Sequence, residues 1–318
     1  MPSSVTHAYF AKDVRKKLER KIKVKFEVDT FITFSKGPDV FYNQFFHVTQ
    51  RLSTRKFGYL LHHENTKKFF VEYVHHIQKL HLEKNREVIG SLYGMVSHYY
   101  LDQLTHPLVY YQTNHDAVKH REMELLIDLY MLEKRERKKP ASIVLSQMLF
   151  PKLAYSPQLK NLLNSVYQNV YLKDNMGTLY LSSLKQMYYS FKYLRYDPYG
   201  HKQKIYQILA HFHPKVEGMV YLSYAADLRA KVDYINFEHK TWCNPADQSL
   251  TSADSFFDLY DKALEKTCHT ISLMHEVLYG TKELKDLEKA LSNTSCFTNL
   301  DCTDPRKMKY FRDDSCKK

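Results

Sequence analysis

Three candidate metal ligands recur at helical spacing inside a strongly apolar segment, IGSLYGMVSHYYLDQLTHP, residues 89–107. His98, Asp102 and His106 stand four residues apart, about one helical turn, so their side chains project from one face of a helix. A carboxylate buried in such a helix without a partner would cost several kcal/mol. The segment therefore predicts a helix whose polar residues are satisfied by a buried His–Asp hydrogen bond or by a metal ion.

A second pair of the same kind, His120 and Glu124, follows at the same four-residue spacing. Pro107 disfavours a helical conformation of the residue before it, which predicts that the first helix ends there. A loop of about a dozen residues then lets the second helix return antiparallel to the first. Imidazole and carboxylate groups suit zinc, and helical bundles bind several metal ions through such groups on facing helices.

Three weaker candidates precede these residues in the chain. They are His7 before an amphipathic segment, Asp39 in the turn GPD, and His62 or His63 in FGYLLHHEN. Taken singly, each also fits an ordinary role: a mobile terminus, a capping aspartate or a histidine on a helix surface. Their meaning depends on whether the fold brings them to the other candidates.

The rest of the chain indicates a mostly helical protein. Apolar residues recur every three or four positions, and glycine and proline number only 8 and 10 in 318 residues. We predict an all-α fold, a single multi-helical bundle over residues 1–290, followed by a polar, cysteine-containing tail, 291–318, with little to bury. The predicted helices cover 7–21, 39–51, 57–80, 85–105, 116–135, 156–170, 176–194, 200–211, 215–231 and 254–278.

Charge and targeting signals constrain the partners and the compartment. The formal net charge is +12, which suits nucleic acid, an anionic membrane surface or a solvated lysine-rich surface. The first residues contain no apolar core of a secretory signal, and no window is apolar enough to span a membrane. The five cysteines form no C-x-x-C pair, which favours reduced thiols. These features predict a cytoplasmic protein without a transmembrane segment.

Taken together, these motifs resemble the zinc-dependent phospholipase C family, to which the S1/P1-type nucleases look like distant relatives. The resemblance covers about residues 2–280. The patterns that carry it are PSSVTH, GPDVFY, FGYLLH, GSLYGMVSHYYLDQLTHP, HREMELLID, and W-x-N-P followed by SFFDLYDKA. It implies the all-helical architecture of the phospholipase C/P1 nuclease type.

The resemblance also implies two to three zinc ions and their ligands. One ion would be held by Asp39, His62, His98 and Asp102, a second by Asp102 as a bridge together with His7, and a third by His106, His120 and Glu124. His62 is preferred to His63 because it matches the G-x-x-x-H spacing from Gly58. Asp39 and Asp102 are the implied catalytic residues.

The function implied by this resemblance is that of a zinc-dependent phosphodiesterase. Its substrate would be a phospholipid, at a membrane surface, or a related phosphoester, hydrolysed by a zinc-activated water. Two alternatives stay open. One is a single-strand nuclease of the S1/P1 type, which the basic charge supports, although nucleic acid is the less favoured partner. The other is a helical protein that binds metal without catalysis.

Overall fold

The computed structural model describes residues 4–20, 25–43, 48–136, 143–224 and 233–312. Its elements are mostly helical, and the prediction of an all-α fold is confirmed. The α-helices are α1 Ser4–Leu18, α2 Val28–Phe34, α3 Val48–Leu61, α4 Thr66–Lys79, α5 Arg86–Thr113, α6 Ala117–Glu136, α7 Leu145–Leu149, α8 Pro157–Tyr171, α9 Met176–Tyr189, α10 His201–Phe212, α11 Phe256–Leu278 and α12 Leu284–Ala290. Two 3₁₀ helices, Gly37–Asn43 and Pro214–Leu222, and a π-helical segment, Ser190–Arg195, complete the helical part.

Helix α5 forms the centre of the bundle. Its 28 residues are nearly all buried, and α1, α2, α6 and α11 pack around it. The side chain of Asn85 caps its first turn by accepting hydrogen bonds from two backbone N–H groups. Gly90 and Gly94 allow α2 to approach closely, since a Cβ on either would come within 2.6 Å of a carbonyl oxygen on the neighbouring chain segment. A helix buried on all sides can carry polar side chains only where they have partners.

The predicted end of this helix at Pro107 is wrong. Helix α5 continues through Pro107 to Thr113, and only three residues separate it from α6. A proline inside a helix removes one hydrogen bond and costs about 3 kcal/mol. The apolar residues on both sides of Pro107, Leu108 and Val109 among them, are buried, and this burial outweighs the local cost.

Several other predicted boundaries also differ from the structure. The predicted helix 39–51 is instead the 3₁₀ helix 37–43 followed by the start of α3, with residues 44–47 outside the described part. The predicted helix 57–80 is divided by a turn at 62–65, where Asn65 has a φ of 53°. The predicted helix 215–231 is a 3₁₀ helix as far as Leu222, and its residues from 225 onward lie outside the described part.

A small antiparallel hairpin lies between the predicted helices 215–231 and 254–278, where no helix is predicted. Strand β1, Trp242–Asn244, pairs with β2, Asp247–Ser252, with Trp242 opposite Ser252. Within the described part of the chain, no helix is long and apolar enough to cross a membrane.

The prediction that the C-terminal tail buries little is wrong for its first half. Leu291, Cys296 and Phe297 are buried, and the backbone N–H of Cys296 donates to the carbonyl of His62 at 2.7 Å. Thr294 pairs with Asp301 across a short turn, which holds this part of the tail in a compact loop. A domain boundary at residue 290 stays a prediction, but residues 291–302 pack on the helical core.

Candidate metal centre

Five chain segments bring the eight candidate ligands together. His7 lies on α1, Asp39 in the first 3₁₀ helix, and His62 in the turn that follows α3. Helix α5 supplies His98, Asp102 and His106 from one of its faces. Helix α6 supplies His120 and Glu124. All eight residues are at least nine-tenths buried, although sequence separations of up to 117 residues divide them.

The first group of donor atoms surrounds the carboxylate of Asp102. Its Oδ1 lies 3.0 Å from Nε2 of His7, and its Oδ2 lies 3.1 Å from Nε2 of His98. His62 closes the group, with its Nε2 at 3.3 Å from Oδ1 of Asp39 and 3.4 Å from Nε2 of His98. One donor atom from each of His7, Asp39, His98 and Asp102 lies within 4.8 Å of all the others.

The second group lies on α5 and α6, one turn further along. His120 Nε2 is 2.7 Å from Oε1 of Glu124, and His106 Nε2 is 4.0 Å from the same oxygen. His106 also reaches back toward the first group, with its Nδ1 at 3.7 Å from Oδ2 of Asp102. Asp102 is therefore the residue of the first group that lies near the second.

Local contacts fix the orientation of two histidine rings. His62 Nδ1 lies 2.6 Å from the carbonyl oxygen of Gly58, which can only accept, so the ring proton sits on Nδ1 and Nε2 keeps a lone pair. Gly37 lies against the other ring, that of His98, and a Cβ there would overlap it; its φ of 48° also favours glycine. His63 is turned away from the group and pairs with Glu64 at 3.6 Å.

The spacing of these donors fits zinc. Ligands about 2.1 Å from a tetrahedral ion lie about 3.4 Å from one another, close to the 3.0–3.7 Å separations within the first group. Asp39 Oδ1 and Asp102 Oδ2 are buried and have no hydrogen-bond partner among the described residues. Buried carboxylate oxygens without donors are costly unless a cation satisfies them. The residues therefore suit a metal better than a purely hydrogen-bonded His–Asp pair.

Comparison with known protein families agrees with this geometry. The model of a family described as zinc dependent phospholipase C matches residues 6–177, more than half of the chain and all eight candidate ligands. The chain belongs to the zinc-dependent phospholipase C family. Searches of curated proteins and of solved structures gave no match. The tail residues that pack on the centre lie outside the matched range.

The electrostatics of this phospholipase C-family centre favour the metal-binding forms of Asp102, His7 and His106, and the protonated form of His98. Burial disfavours the charged form of Asp102, but His98, His106 and His7 outweigh it and keep the carboxyl pKa well below its ordinary value. Burial lowers the pKa of His106 to about 4, and it lowers that of His7 despite the attraction of Asp102. Burial also acts to lower the pKa of His98, but Asp102 and Asp39 outweigh it and raise that pKa above its ordinary value, so metal binding at His98 must displace a proton.

We expect metal-free protein to lose stability on mild acidification. Above pH 6.5, His106 is neutral in both the folded and the unfolded chain. As the pH falls toward 4, His106 binds a proton in the unfolded chain but stays neutral in the folded chain, so the folded state becomes less stable. A pKa lowered from 6.5 to about 4 corresponds to a loss of about 3 kcal/mol. Urea unfolding of EDTA-treated protein at a series of pH values from 6.5 to about 4 measures this loss in the free energy of unfolding.

Two variants separate this effect from general acid lability. His106→Gln keeps a buried, neutral polar side chain that cannot titrate, so its stability should fall less over the same pH range. His75→Gln changes an exposed histidine outside the centre and should behave like the parent protein. Equal acid sensitivity of all three proteins would contradict the assignment to His106.

A buried carboxylate outside the ligand set positions helix α1, and nothing in the sequence pattern singled it out. Asp128 of α6 accepts hydrogen bonds from the backbone N–H groups of Val5 and Thr6, at 3.0 and 2.7 Å, and from Tyr224 OH at 2.6 Å. Lys36, also fully buried, donates to the carbonyl of Ser4 at 2.8 Å. These contacts fix the helix start, at Ser4 to Thr6, in the turn that precedes His7.

Phe297, in the C-terminal tail, packs against the candidate ligands His62 and His106. Its ring stacks on that of His62, with centroids 5.3 Å apart and planes 17° apart, and meets the ring of His106 edge-on at 6.1 Å. One aromatic side chain therefore contacts a ligand from each donor group. The sequence analysis missed it because a single phenylalanine in a polar tail gives no periodic signal.

Replacing Phe297 by Ala should lower the free energy of unfolding by about 3 kcal/mol, since truncating a buried Phe loses its burial and leaves a cavity. Urea unfolding in the presence of zinc measures the change. Phe237→Ala is the matched control, because Phe237 is half exposed and should cost about 1 kcal/mol or less. A similar small cost for both variants would mean that the tail is not part of the folded core.

Proposed function

We propose that this chain is a zinc-dependent phosphodiesterase that hydrolyses a phospholipid or a related phosphoester. The observation that supports it most is the convergence of eight buried donors in two adjacent groups, the first of them arranged around Asp102. Two or three closely spaced ions are the arrangement that enzymes use for displacement at phosphorus. Membership of the phospholipase C family supports the reaction class.

We assign the first zinc to Asp39, His62, His98 and Asp102, the second to His7 and Asp102, and the third to His106, His120 and Glu124. When bound, zinc supplies a Lewis acid for the phosphate oxygens and lowers the pKa of a water molecule toward neutrality. His62 presents Nε2 because Gly58 holds its Nδ1 proton. Asp39 combines its ligand role with that of a base, because its Oδ1 has no protein donor to compete for a water proton.

The test begins with elemental analysis of protein purified without chelators, which should give about two to three zinc ions per chain. Hydrolysis of bis(p-nitrophenyl) phosphate and of phosphatidylcholine should then disappear with EDTA and return with zinc. Less than about one zinc ion per chain would overturn the proposal.

The same substrates distinguish the alternatives. Zinc-dependent cleavage of single-stranded nucleic acid without cleavage of lipid would indicate the nuclease. Full zinc content with no rate above background on any phosphoester would indicate a metal-binding protein without catalysis.

A further inference from the structure

Helix α10 turns its apolar side toward solvent. Ile205, Ile208, Leu209 and Phe212 follow a helical i, i+3, i+4, i+7 pattern, and all four are exposed, Ile208 at 59% and Phe212 at 71%. A surface helix normally buries such a stripe. Four exposed apolar side chains in one continuous stripe indicate an interaction surface.

Specific contacts hold the helix in this orientation. Gln203, on the opposite side, is the residue of α10 that is buried, and its backbone N–H donates to the buried carboxylate of Asp197 at 2.9 Å. Lys202 donates through Nζ to the carbonyls of Tyr193 and Tyr196 at 2.7 and 2.6 Å. Rotating the helix to bury its apolar side would break all three hydrogen bonds.

The preceding segment extends the same surface with aromatic residues. Tyr189 and Tyr193 are exposed and stack on each other with ring centroids 6.0 Å apart, and Tyr199 is also exposed. The ammonium of Lys192 lies over the Tyr193 ring at 5.3 Å. Tyrosine and lysine both combine an apolar body with a polar end, which suits a boundary between water and hydrocarbon. We call this surface, α10 with residues 189–199, the outer face.

The charge of the outer face limits what it can bind. Residues 185–213 contain five lysines and arginines and one acidic residue, Asp197, whose carboxylate is buried. A second copy of the chain is disfavoured, because each carries a net charge of +12. Nucleic acid would leave the isoleucines, leucine and phenylalanine without matching groups. An anionic lipid surface satisfies both the apolar stripe and the lysines.

We propose that the outer face docks this protein on anionic phospholipid membranes, with the α10 stripe inserted at the boundary between head groups and acyl chains. This docking proposal rests on the proposed function, because an enzyme that hydrolyses lipid must reach its substrate at a membrane. Docking and hydrolysis use different residues, so each can be measured without the other.

The experiment is flotation of zinc-loaded full-length protein with vesicles of phosphatidylcholine, or of phosphatidylcholine mixed with phosphatidylserine. Lipid turnover is assayed in the same samples. Wild-type protein should bind the mixed vesicles more tightly, and binding should weaken with salt. The double variant Ile208→Ser/Phe212→Ser should bind about tenfold more weakly or worse, since two exposed apolar anchors are lost. Lys204→Glu should weaken binding to the mixed vesicles alone, by about fivefold.

Leu250→Ser is the control, because Leu250 is an exposed apolar residue on β2, outside the outer face, and should leave vesicle binding unchanged. All variants should hydrolyse soluble bis(p-nitrophenyl) phosphate at the wild-type rate, which confirms folding. Equal vesicle binding by the wild type and the double variant would overturn the docking proposal. So would a dimer in solution that the double variant abolishes. Binding without lipid turnover would instead count against the proposed substrate and leave docking intact.

Discussion

Asp102→Asn should reduce phosphodiester hydrolysis by about 10³-fold or more and lower the zinc content of the protein. Both oxygens of this carboxylate face histidine nitrogens, at 3.0 Å for His7 and 3.1 Å for His98. An amide keeps the shape but loses the charge and one of the two ligand oxygens, so it cannot bridge two ions. The loss should appear in kcat as well as in metal content, because the first and second zinc ions are both assigned Asp102 as a ligand.

The control is Asp116→Asn, at the start of α6 near the centre. Asp116 is exposed and accepts hydrogen bonds from the backbone N–H groups of Val118 and Lys119, both at 2.8 Å. Asparagine caps a helix about as well as aspartate, so activity and zinc content should stay near wild type. Elemental analysis and steady-state kinetics measure both variants. Full zinc content and near-normal turnover in Asp102→Asn would show that Asp102 does not bridge the ions.

The candidate ligands on α5 and α6 could be predicted from the sequence because their signal is local. Four-residue spacing within a helix fixes which side chains share a face, and the apolar surroundings of His98 and Asp102 required a partner for each. His62 could be preferred to His63 from its spacing to Gly58, and the structure places His62 among the donors and His63 outside them. Helix periodicity predicted the candidates on α5 and α6, and the family resemblance supplied the preference for His62.

The features that the sequence analysis missed depend on distant parts of the chain. Phe297 reaches the centre across 191 positions from His106, and Asp128 holds the start of α1 across 123 positions from Val5. No local pattern encodes such contacts. At Pro107 a local rule gave a wrong prediction. The rule predicted that the helix ends there, but α5 continues to Thr113 because the residues that follow Pro107 are buried.

Asp128→Asn is expected to lower the free energy of unfolding by about 3 kcal/mol and to remove about one zinc ion per chain. The first N–H groups of a helix have no partners within it, and those of α1 are satisfied by the two oxygens of this carboxylate. An amide replaces one oxygen with an NH₂ group that cannot accept, so one of the buried N–H groups loses its partner. The start of α1 should then shift and carry His7 away from Asp102.

Asp13→Asn tests whether this loss is specific to the helix start. Asp13 also joins α1 to α6, through Arg135 Nη1 at 2.8 Å, but this pair lies near the surface. Asp13 is partly exposed and also accepts from Tyr260 OH at 2.7 Å, and asparagine keeps one oxygen for these donors, so the variant should lose about 1 kcal/mol of stability and keep its zinc. Urea unfolding and metal analysis of both proteins give the comparison. If Asp128→Asn lost stability but kept every zinc ion, the position of His7 would not depend on this anchor.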